Sequence, residues 1–208
     1  GKVLNLVFND TLRDTLIDEM FPALRACAPG CSVILELRRT EMDDRLLQAL
    51  GHLCQEHPVI YQISLQSWQP TYASSLSAFL VDLMRVPTAV RVVDMNYGTS
   101  ITDDVALAIV KALPELHQPI ELRFATKDLS EAVMKLLIES TLEKNAKGGI
   151  RFTLELHVGE DFCSPNQSSA DSPYLDAQIR LQLKGKGISF CKVRGCSEEK
   201  NPGFLVEL

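Results

Sequence analysis

The residues best able to do chemistry in this chain are its six cysteines and four histidines. Cys27 with Cys31 and Cys191 with Cys196 form two loose pairs, and a zinc site would require these distant pairs to converge in tetrahedral geometry. Cys54 and His57 stand three residues apart, a spacing that lets two side chains face each other on a helix; with Cys27 or Cys31 they could make a Cys–His site, or a nucleophile and its base. His52, two residues from Cys54, points elsewhere. The plainer role for a cysteine in an apolar stretch is a small core side chain. Most of the histidines, His117 among them, lie near helix ends or on helix surfaces, where solvation or capping accounts for them. The expectation is reduced cysteines, no metal and no cofactor.

Other catalytic patterns are missing. The sequence holds no phosphate-binding Walker loop, dinucleotide glycine fingerprint, nucleophile elbow or HExxH helix. Asn96-Tyr97-Gly98-Thr99-Ser100, after a strand and before a helix, comes nearest to a phosphate cradle, because helix N-termini attract anions. It has one glycine and no lysine. The adjacent carboxylates Asp103 and Asp104 read as helix-start residues favoured by the helix dipole rather than as an acid–base pair. The triplet Asn166-Gln167-Ser168 is a glycosylation sequon of a kind that arises often by chance.

Composition narrows the partner. A net charge of −6 lacks the excess of lysine and arginine that neutralises phosphates, so nucleic acid and anionic membrane are not expected partners. No apolar run approaches the roughly 20 residues of a membrane span, and the opening residues lack the basic-then-apolar build of a signal peptide. With 46% hydrophobic residues in 208, the chain can close a core without disulfides, and a cytoplasmic protein is expected.

The elements that must position any functional side chain recur along the sequence. Short alternating apolar strands are predicted at Val3–Phe8, Val33–Leu37, Ile60–Leu65, Val90–Met95, Ile120–Phe124 and Ile150–Leu156. Their first inward residues, Leu4, Leu35, Ile63, Val93, Leu122 and Phe152, are separated by 31, 28, 30, 29 and 30 residues. Between strands the apolar residues take helical spacing, as in Leu46, Leu47, Leu50 and Leu53 or Val105, Ala106, Ile109 and Leu113. Asp43 and Asp44 open one helix, and Thr102, Asp103 and Asp104 another, where side-chain oxygens cap free amides. Pro29, Pro58, Pro87, Pro119 and Gly148-Gly149 precede successive strands. Doubly covered strands of an open parallel sheet run continuously apolar, whereas these alternate, which favours a solenoid with one wet strand face.

At this point the sequence resembles the ribonuclease-inhibitor-like class of leucine-rich repeats. The resemblance rests on Val90-Arg91-Val92-Val93-Asp94-Met95 with the stretch Ser100 to Leu113, and on Val33 to Leu37 with Thr40 to Leu50. It covers about residues 3–158. The position that holds Asn or Cys in that family is occupied here by Asn9, then Thr40, Trp68, Gly98, Lys127 and Gly159, so the family's hydrogen-bonded ladder along the turn is not expected.

The expected fold is therefore α/β: one domain, a curved solenoid of about five to six strand-loop-helix repeats with a parallel sheet. A loop follows over about 159–175, and a capping β-hairpin over about 176–208, with Ile179–Leu183 and Ile188–Val193 as its arms around Lys184-Gly185-Lys186-Gly187. The expected function is that of a non-catalytic interaction module binding a protein partner on the strand face, through Glu36, Arg38, Gln66, Trp68, Asp94, Asn96, Arg123 and Lys127. The alternative is a small α/β enzyme or nucleotide-binding domain using Asn96–Ser100.

Overall fold

The computed structural model describes residues 2–26, 31–56, 59–66, 73–126, 128–158 and 186–192. Strands β1 (Lys2–Asn9), β2 (Cys31–Arg38), β3 (Ile60–Gln66), β4 (Val92–Ser100), β5 (Ile120–Ala125), β6 (Phe152–Val158) and β7 (Ile188–Lys192) form one seven-stranded sheet. Their order in the sheet is their order in the chain, and every pair is parallel. Helices α3 (Asp44–Glu56), α4 (Ala73–Arg85), α5 (Asp103–Ala112) and α6 (Glu131–Ala146) fill four of the crossovers and pack in sequence against one another. The first crossover is shorter: α1 (Arg13–Thr15) runs through a π-helical turn, Leu16–Met20, into α2 (Phe21–Ala26). Pro22 has no amide hydrogen to give, and Phe21 donates to the Leu16 carbonyl five residues back, so the wide turn falls just before the proline.

Alternation decides which side of the sheet the helices cover. Leu35, Ile63, Val93, Leu122 and Leu154 stand in one row across five strands, and each is fully buried against helix residues such as Leu46, Leu50, Leu80, Ile109 and Leu137. Helical spacing supplies the other half of this core, since Leu46, Leu47, Leu50, Leu53 and Cys54 of α3 all fall on its buried stripe. All six expected strands are present.

The register at two of them differs from the expectation. Leu6, not Leu4, pairs with Leu35, and Leu154, not Phe152, pairs with Leu122. The displacement is two residues each time, and a two-residue slip keeps every side chain on its own face. It also moves the turn: Thr11, not Asn9, now stands where Thr40 does in the next unit. Both threonine hydroxyls donate to the carbonyl two residues back, Thr11 to Asn9 and Thr40 to Arg38. The residues just ahead of them, Asp10 and Arg39, have left-handed backbones with φ of 52° and 54°, and their side chains form an ion pair at 3.6 Å.

Side chains also tie one unit to the next. Asp43 caps α3 as expected, accepting the Leu46 amide at 2.9 Å, and it pairs with Arg13 of the preceding unit. At α5 the expected Thr102 cap is not made. Asp103 reaches forward instead and accepts the backbone N–H of Ser130, the N-cap of α6, at 2.9 Å. Gln118, 6% exposed, accepts the Thr88 amide and donates from Nε2 to the Thr88 hydroxyl and to the Leu83 and Val90 carbonyls. Asn145 does the same work one unit later: it accepts the Phe152 amide and donates to the Phe152 and Lys186 carbonyls.

Beyond β6 the expected hairpin is not shown. Its first arm, Ile179–Leu183, and the loop 159–175 lie outside the described residues. The residues expected for its second arm form β7, which extends the sheet as a seventh parallel strand beside β6. Gly187 introduces it with φ of +92°, and a β-carbon there would meet the Phe152 carbonyl at 3.0 Å, so the turn into β7 requires glycine.

Candidate partner-binding face

The residues between the buried rows point away from the helices. Glu36 pairs with Ser64, Ser64 with Asp94, Asp94 with Arg123 and Arg123 with Glu155, so one row crosses five strands. A second row sets Arg38 beside Gln66 at the ends of β2 and β3. Neighbouring parallel strands lie about 4.8 Å apart, which turns positions thirty residues apart in the chain into adjacent side chains.

Five of the expected binding residues, Glu36, Arg38, Gln66, Asp94 and Arg123, share this face. Asn96 lies within β4, though its side chain is outside the described residues, as are Trp68 and Lys127 altogether. The face also carries residues the sequence reading did not nominate for binding: Asn5, Gln62, Glu121, Glu155 and His157. Strand alternation alone would have found them, since each stands an even number of residues from a nominated or equivalent position.

Charges on this face are already engaged with each other. Arg38 donates from Nε to Glu36 at 3.0 Å, and Asn5 Nδ2 donates to the same carboxylate at 3.3 Å. Arg123 sits among three carboxylates: Nε donates to Glu121 at 2.6 Å and lies 3.6 Å from Glu155, while Nη1 is 3.8 Å from Asp94. Partial burial works against the Arg123 charge, but Glu121, Glu155 and Asp94 outweigh it and hold the guanidinium more firmly protonated than usual. His157 Nε2 is 2.8 Å from Glu155, which puts an imidazole at the end of the network. Four carboxylates thus surround two guanidiniums, an arrangement of fixed polar groups with a net negative balance.

The chemistry weighed for other residues fares less well. Cys54 is 1% exposed, and burial pushes its thiol up to about 12, so it is a poor nucleophile near neutral pH. Its suggested partner His57 and Cys27 lie outside the described residues, and among the described residues no group of three His, Cys, Asp or Glu side chains is placed to hold a metal. Strand β4 runs to Ser100, which pairs with Ala125, but the register breaks between Met95 and Ser100, so residues 96–99 bulge out of the pairing with β5. The helix beyond it starts with Asp103 and Asp104, whose charges oppose an anion at that N-terminus. One concavity that the sequence reading missed, between α3 and α4, gathers Asp44, His52, Ser75 and Asp82. The Ser75 hydroxyl there donates to Asp44 and so is not presented to His52 as a nucleophile to its base. No helix among the described residues is long and apolar enough to cross a membrane.

No known family model matches the chain, and a search of curated proteins likewise finds no match.

Proposed function

We propose that this chain is a non-catalytic protein-interaction module: a curved solenoid of strand-loop-helix units, similar to the ribonuclease-inhibitor-like leucine-rich repeats and closed by a C-terminal hairpin, which binds a protein partner in the cytoplasm through its open strand face. The observation that carries this reading is the row Glu36, Ser64, Asp94, Arg123 and Glu155, set in register across five parallel strands on the face opposite the apolar row, with Ser64 buried between charged neighbours. Repeat proteins gather binding surfaces in this way, one or two residues from each unit. The mixture of carboxylates, guanidiniums and amides suits a polar protein surface with complementary charge, and the net negative balance favours a partner presenting basic side chains.

Two sets of variants test it. Proteins retained from a cytosolic extract by the wild-type chain are identified by mass spectrometry, and the capture is repeated with Arg38→Glu/Arg123→Glu and with Gln48→Ala/Lys111→Ala. Gln48 and Lys111 are exposed on α3 and α5. The reading expects a partner lost with the first pair and kept with the second. A partner lost only with the helix variants, or substrate turnover in an activity screen, overturns it.

A further inference from the structure

We draw no further inference here: the strongest candidate, the cavity at the C-terminal end of α6 that Arg151 and Lys186 line beside Asn145 and the Gly148-Gly149 turn, borders the stretch between β6 and β7 that lies outside the described residues, so nothing in the structure shows what covers it.

Discussion

The two faces of the sheet are built from alternate residues of the same strands, and they handle burial in opposite ways. Leu122 and Arg123 show the contrast at a single peptide bond. Leu122 has no exposed surface and is held by packing alone, in a row that continues through Val93 and Leu154. Arg123 remains partly exposed and is held by three carboxylates contributed by three strands. Packed apolar contacts are non-directional and cumulative, whereas a charge network fixes geometry at little net gain in stability. Stability therefore resides in one face and orientation in the other.

The sharpest test replaces these neighbours in turn. Leu122→Ala removes buried methyl groups from a site that the sheet and helices keep from collapsing, and should lower unfolding free energy by about 2–5 kcal/mol in urea titration. An effect under about 1 kcal/mol would mean that the helix-side row is not the main source of stability. Gln118→Ala should cost about 1–3 kcal/mol by the same measurement, because it takes the acceptor from the Thr88 amide and a donor from the Leu83 carbonyl in a nearly dry site.

Asp43→Ala comes next, at about 1 kcal/mol, the usual cost of losing a helix cap. Its pH dependence is the more informative reading. Burial alone would push the Asp43 carboxyl up, but the Leu46 amide and the Arg13 guanidinium together hold it below the usual carboxylate range. A carboxyl lowered by folding contributes stability above its unfolded value near about 4, and that contribution is lost as pH falls through the lower folded value. The gap between wild type and Asp43→Ala should therefore be full at pH 7 and should narrow below about pH 4. Arg123→Ala should have the smallest effect, within about 1 kcal/mol, while abolishing partner capture. A large loss of stability there would erase the distinction between the faces.

Much of this contrast was legible in the sequence, because alternation assigns a face without knowing the neighbours. Glu36, Asp94 and Arg123 could be placed together from spacing alone. Alternation likewise puts Glu121 and Glu155 on that face, but their contact with Arg123 appears only when the strands are paired. Register at β1 and β6 was misjudged by two residues because the inward rows there are long: Leu4, Leu6 and Phe8 all fit, as do Phe152, Leu154 and Leu156, and only backbone pairing chooses. Asp103 was read as a cap for its own helix, since a sequence displays local offers of hydrogen bonds and hides those from the next unit.

The strand order has a mechanical consequence. The first and last described strands, β1 and β7, occupy opposite edges of the sheet, and the principal contacts run between consecutive units. A pull on residues 2 and 192 therefore acts across the strands and loads the hydrogen bonds of one pair at a time, like opening a zip, instead of shearing a whole ladder together. Each unit that yields pays out about thirty residues, roughly 100 Å of extended chain. Under tension such a protein lengthens in steps at low force, and it recovers by rewinding against whichever neighbour still stands.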